Sequence, residues 1–196
     1  AFGVLKLFHE MGVVDLSVPR RESKSGRGHK GFLVDADPAL SPIEASRRRD
    51  LTINAMMQDP LSGELLDFHG GQEDLRRRTL RHVSEAFAED PLRVLRVMQF
   101  AARFEFDVAP ETVALCRALD LAEVPRERIF EEWRKMLLDG SRPSRGLEFL
   151  RASGALRFFP ELESLISCPQ DPEWHPEGDV WTHLGLVMDA AARLLG

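Results

Sequence analysis

From Gln72 onward the apolar residues of this chain recur at helical spacing, whereas before it they fall in short runs broken by glycine and proline. A helical period and a strand period cannot share one layer, so this change of period divides the chain into a β-rich first part and a helical remainder. The expected class is therefore α+β by segregation. In the first part, residues 4–8 and 13–18 are β-rich runs separated at Gly12, as in a hairpin or a pair of adjacent strands. A basic, glycine-rich loop follows over 19–31, then an acidic connector over 33–46, and Asp59-Pro60 and Ser62-Gly63 mark a turn between two strand-like pieces. Helices are expected over 72–80, 91–104, 110–119, 126–138, 142–153, 160–167 and 182–195. At 196 residues the chain can bury a sizeable core.

Two stretches carry chemistry. The first, 45–56, runs three arginines into Asp50 and then alternates Thr52 and Asn54 with Leu51, Ile53 and Ala55. Period-two alternation puts one set of side chains into a core and the other over a cleft, although a helix start fits so short a run equally well. Either way Arg48, Arg49, Asp50, Thr52 and Asn54 lie close together, offering cations to phosphate and acceptors to hydroxyls. In isolation an Arg-Arg-Arg-Asp run reads as a solvated cluster on a capped element. The second stretch is Glu89-Asp90-Pro91-Leu92-Arg93-Val94-Leu95-Arg96. Asp90 before Pro91 fits a helix cap. It also stands three residues from Arg93, on a neighbouring part of one helix surface. Such a pair offers an acceptor and a fork of donors, which suits the amino group and ring nitrogen on the edges of cytosine and adenine. Arg96, one turn on, can reach phosphate. Asp15, a carboxylate in a strand of valines and leucine, belongs either to an open edge or to chemistry.

The formal net charge of −6 argues weakly against a nucleic-acid partner, but clustered arginines bind phosphate whatever the total. Cys116 and Cys168 form neither a disulfide framework nor a metal spacing, so a reducing cytoplasm is the expected setting. No apolar run approaches a membrane span and no secretory signal is visible.

Taken in order, Arg48-Arg49-Asp50-Leu51-Thr52-Ile53-Asn54-Ala55, Asp67-Phe68-His69-Gly70-Gly71, Leu80-Arg81-His82-Val83 and the stretch from Glu89 to Arg96 form a set. The set resembles the class II tRNA nucleotidyltransferases (CCA-adding enzymes) and their bacterial poly(A) polymerase relatives, from about Leu5 to about Leu186. Glu22-Ser23-Lys24-Ser25-Gly26 and Trp174-His175-Pro176-Glu177 are most similar to the bacterial branch that carries a C-terminal HD domain. The resemblance implies a partial polymerase-β-like nucleotidyltransferase head over 1–71, then an all-helical neck over 72–122 and body over 123–172, with the start of an HD-type domain over 173–196. It implies a chain from an enzyme that adds CCA to tRNA 3′ ends, using CTP, ATP and magnesium. By the same resemblance Arg49 contacts the nucleotide, Asp50 its ribose, Asp90 and Arg93 read the base, and Arg96 contacts the nucleotide; Asn54, grouped with Arg49 and Asp50 by its place in the sequence, is expected to bind the nucleotide with them. Asp15 falls at the family's third head carboxylate, a metal and catalytic position, and His183 at the first metal-ligand histidine of the HD domain.

Gln99 stands where many relatives have a nucleotide-contacting arginine. The family's glycine-rich turn and Asp-x-Asp metal pair would precede Val4, and the chain ends before any His-Asp pair, so the sequence reads as a fragment that does not transfer nucleotides unaided. Two further readings remain at this point. One is a poly(A) polymerase or a specialist adding only A or only C; the other is an RNA-binding remnant without catalysis. Arg76, Arg77 and Arg78 read first as a solvated helix face and second as phosphate contacts.

Overall fold

The computed structural model describes residues 4–10, 12–24 and 32–195. The chain opens with two antiparallel hairpins. β1 (Val4–His9) pairs with β2 (Gly12–Ser17) in a register that sets Lys6 opposite Asp15. β3 (Arg20–Lys24) pairs with β4 (Phe32–Ala36). The expected basic loop therefore begins as a strand, and the acidic connector begins as its partner. The remainder of that loop, 25–31, lies outside the described residues.

α1 (Pro42–Arg47) starts on a capping box in which the Ser41 hydroxyl accepts from the Glu44 N–H and the Glu44 carboxylate accepts from the Ser41 N–H. Pro42 fills the first helical position, where no N–H is needed. Neither alternative for the central stretch is realised in full: Thr52–Asn54 is a single 3₁₀ turn and Leu51 a lone antiparallel bridge to His82. The small hairpin of β5 (Met57–Gln58) and β6 (Leu65–Leu66) follows.

α2 is Gly71–Arg76, shorter than the 72–80 helix expected. Arg78 adopts a left-handed φ of 54° and stops it, and Thr79–Leu80 becomes β7, parallel to β8 (Asp107–Val108). Gly70 and Gly71 are required here for separate reasons. Gly70 has φ 75°, and a Cβ on Gly71 would stand 2.4 Å from the Thr52 carbonyl oxygen. That close approach seats α2 directly on the 52–54 turn.

α3 (Arg93–Phe104) is the central helix, with Val94, Leu95, Val97, Met98, Gln99, Phe100, Ala101 and Ala102 all buried. Its start is later than the Asp90-Pro91 cap predicted. Asp90 instead uses its side chain to accept from the Leu92 N–H at 3.2 Å, closing a local turn ahead of the helix. α4 (Pro110–Arg117), α5 (Arg126–Asp139), α6 (Pro143–Ala152), α7 (Pro160–Glu163) and α8 (Val180–Leu195) complete the chain. α7 is one turn rather than the 160–167 helix expected: past Ser164 the backbone bonds reach only three residues back, Leu165 N to the Leu162 carbonyl and Ile166 N to that of Glu163, and Ser167, at φ 59° with its N–H accepted by Asp179, closes the turns. α6 and α5 pack on α3, and Met136, Leu147 and Leu150 join the core of α3. Between the buried residues α3 keeps one partly exposed stripe, Arg93, Arg96 and Arg103. None of the described helices is long and apolar enough to cross a membrane.

Candidate functional site

Arg93 and Arg96 of the α3 stripe form one wall of a cleft of about 540 Å³, a size that suits a small ligand. Arg48, Arg49 and Asp50 come to it from the segment after α1, Asp90 from the turn before α3, and Glu127, Arg128, Glu131 and Glu132 from α5. The segment is held in place by backbone pairing. Thr52 N donates to the Arg81 carbonyl at 2.9 Å and Val83 N to the Asp50 carbonyl at 3.2 Å. The Thr52 hydroxyl donates to Asp74 at 2.7 Å, and Asp74 also accepts from Arg81 Nε. Thr52 is thus a buried structural anchor and does not face the cleft.

Asp50 is 7% exposed and accepts from three directions: Arg96 Nε on Oδ2 at 2.6 Å, its neighbour's Leu51 N–H on Oδ1 at 2.9 Å, and Asn54 Nδ2 on Oδ1 at 3.3 Å. Burial alone would raise its pKa. The Arg96 charge and hydrogen bond, with the Leu51 and Asn54 donors, outweigh that and hold the carboxyl below the usual range. Asn54 therefore orients Asp50. Arg49 is exposed on the rim, and its guanidinium has no hydrogen bond or ion pair among the described residues, leaving a cation for an incoming anion.

Asp90 and Arg93 do meet in the cleft, but they are held differently. Arg93 Nη1 donates to the Ala86 carbonyl at 2.7 Å and Nη2 to the Arg48 carbonyl at 2.6 Å, with Phe87 against its face. The guanidinium staples the arginine segment to α3. Asp90 is gripped by Arg128, whose Nη2 donates to Oδ2 at 2.8 Å and Nη1 to Oδ1 at 3.3 Å. Glu132, one turn along α5, is 3% exposed; Oε1 accepts from Lys135 Nζ at 2.7 Å, and Oε2 has no hydrogen-bond partner among the described residues. Sequence reasoning missed all four α5 residues. The only signal was Arg128 and Glu132 on one helix face, and no spacing rule says against what that face packs. Gln99 is 1% exposed and absent from the cleft lining.

Asp15 is not brought to this cleft. It lies exposed in the first hairpin, bound to Lys6 Nζ at 3.1 Å. One carboxylate already holding an ammonium does not fit a magnesium site, which needs several oxygen ligands. Among the described residues the one group of three or more metal-capable side chains is elsewhere: His175, Glu177 and His183, with ligand atoms within 4.8 Å of one another. Glu177 Oε1 lies 3.2 Å from His175 Nδ1 and 2.5 Å from His183 Nδ1. Its pKa is lowered to about 2, first by a backbone hydrogen bond and then by the His183 and His175 contacts.

Residues 10–81 match the poly A polymerase head domain, and residues 105–166 the probable RNA and SrmB-binding site of polymerase A. The chain is 47% identical over 189 residues to the multifunctional CCA protein of Paracidovorax citrulli, covering 92% of this chain and 45% of that protein. The like-named protein of Aromatoleum aromaticum is 51% identical over 184 residues, covering 91% of this chain and 45% of that protein. Among solved structures, the Bacillus stearothermophilus CCA-adding enzyme in complex with CTP superposes with a TM-score of 0.60 and 28% identity, over 76% of this chain and 35% of that one. A tRNA-processing enzyme with CTP gives 0.64 and 26%, over 95% and 52%. The chain thus spans less than half the length of these curated relatives.

Proposed function

Because this chain belongs to the class II family of CCA-adding enzymes and poly(A) polymerases, we propose that it is the nucleotide-selecting portion of an enzyme that adds C and A residues to tRNA 3′ ends without a nucleic-acid template. The observation that carries the reading is the convergence of Arg49, Asp50, Asp90 and Arg96, from two separate stretches of the chain, on one cleft. In this reading the hairpins and the central segment to residue 71 belong to the head, 72–122 to the neck and 123–172 to the body, all working in a reducing cytoplasm.

The roles follow from what each group has left to offer. Arg49 takes the triphosphate through charge-assisted hydrogen bonds. Asp50 accepts a ribose hydroxyl on the lone pair of Oδ2 that Arg96 leaves, while Arg96 keeps that carboxylate aimed and adds positive charge beside the phosphates. Asp90 accepts the exocyclic amino group common to cytosine and adenine, and Arg93 fixes the wall behind it. Magnesium would supply the charge neutralisation for phosphoryl transfer in the whole enzyme. The described residues do not form its site. His183, with His175 and Glu177, is read as the opening of a separate HD-type metal site. Imidazole and carboxylate suit a divalent transition metal, and Glu177 on the Nδ1 atoms orients both rings.

The test is calorimetric titration of the chain with CTP, ATP, GTP and UTP. CTP and ATP are expected to bind about tenfold more tightly than the other two, the worth of one or two hydrogen bonds. Equal affinity for all four would refute base selection in this cleft. The match to polymerase A domains supports a second reading, a poly(A) polymerase, and binding of ATP without CTP would decide for it.

A further inference from the structure

We propose that Arg128 of α5 is a positioning residue for base selection: its fork orients the Asp90 carboxylate that reads the base. The proposal rests on the reading of Asp90 given above. Asp90 sits in extended backbone between the 3₁₀ turn Glu85–Glu89 and α3, a junction that does not by itself fix the side chain. The Leu92 N–H holds Oδ1 at a single point, which leaves the carboxylate free to turn about that bond. Arg128 adds two more contacts, one on each oxygen, from a helix that begins 36 residues later in the chain (126 minus 90). Three donors from two elements define a plane. Oδ1 then holds two donors and Oδ2 one, so one lone pair remains, and it is on Oδ2.

That single remaining acceptor is what selection demands. Cytosine and adenine present an amino donor on the Watson–Crick edge, and uracil and guanine present a carbonyl oxygen at the same place. An aimed carboxylate oxygen attracts the first pair and repels the second, whereas a turning one satisfies itself with water and discriminates little. Asp90 and Arg128 have side chains 26% and 29% exposed, enough for a base to reach the pair and too little for bulk water to surround it. Selection is thereby tied to the packing of α5 on α3: the neck carries the reading carboxylate, and the helix behind it decides where that carboxylate points.

The experiment compares nucleotide affinities of the chain and its R128K, R128Q and D90A variants, using CTP, ATP, UTP and GTP in calorimetry, with melting temperatures recorded alongside. Lysine keeps the charge but has no planar fork. In R128K the preference for CTP and ATP over UTP and GTP is expected to fall about tenfold, the value of one oriented hydrogen bond. A merely structural role for Arg128 would weaken all four nucleotides equally, and that result would overturn the proposal. If R128K melts below the assay temperature, R128Q is read in its place. Loss of preference in D90A with full preference in both Arg128 variants would leave Asp90 as the reader and remove Arg128 from the site. Preference retained in D90A would overturn the reading of Asp90 itself, and this proposal with it.

Discussion

Asp50 shows how a buried carboxylate can contribute stability while it lines a cleft. Its folded pKa lies below the ordinary 3.8 because Arg96, Leu51 and Asn54 outweigh the cost of burial. The stabilisation is therefore complete above the unfolded pKa and is lost as pH falls through the lower, folded value. Replacing Asp50 by Asn removes the charge partner of Arg96. Breaking a fully buried pair costs about 3–5 kcal/mol, but the Arg96 side chain is 34% exposed and partly solvated, so about 2 kcal/mol is expected. Urea unfolding at pH 7 checks the size of the loss. Repeating it at lower pH checks the sign: the gap between the parent chain and D50N should narrow as pH falls below about 4. A gap that stays constant would mean that the pair contributes nothing through its charge.

At the scale of elements, the cleft depends on close helix approach. Gly146 of α6 faces α3 and α5, and a Cβ there would lie 2.6 Å from Met136 Sδ and 3.0 Å from the Met98 carbonyl oxygen. Alanine would gain about 1 kcal/mol of helix propensity. Against that, overpacking costs about 1–3 kcal/mol, and although the methionine sulfur can shift, the backbone oxygen cannot. Gly146→Ala should therefore be destabilising by about 1 kcal/mol net, read as a lower denaturation midpoint with unchanged slope. Because α3 and α5 carry the two sides of the cleft, nucleotide affinity should fall in the same variant.

Across the whole molecule, stability is uneven. The side chains of β1 and β2 are exposed along their whole length, whereas α3 is buried on most of its surface. Hydrogen exchange should accordingly be fast in 4–17 and slowest in α3 and α6. Protection in the first hairpin equal to that of α3 would show that something covers it in solution.

The division into a β-rich part and a helical array was legible in the sequence, because the period of apolar residues is a local property that each segment carries by itself. Arg49 beside Asp50, and Asp90 beside Arg93 and Arg96, were legible as two chemistry-bearing stretches, since spacing along one segment is local; that the two stretches share one site was implied only by the family resemblance. The lengths of α2 and α7 were not legible. α2 stops just before Arg78, which takes a left-handed backbone angle beside the β7–β8 pairing, and α7 gives way after Glu163 to a run of turns that closes at Ser167, whose N–H is bound to Asp179. Nor could any spacing reveal that Arg93 would be occupied by the carbonyls of Ala86 and Arg48, or that Arg128 would take hold of Asp90. The sequence by itself determined which residues carry charge and which faces must be buried. Only the tertiary structure decided which charge meets which, because an ion pair between residues 38 positions apart is set by how helices pack and not by anything local to either residue.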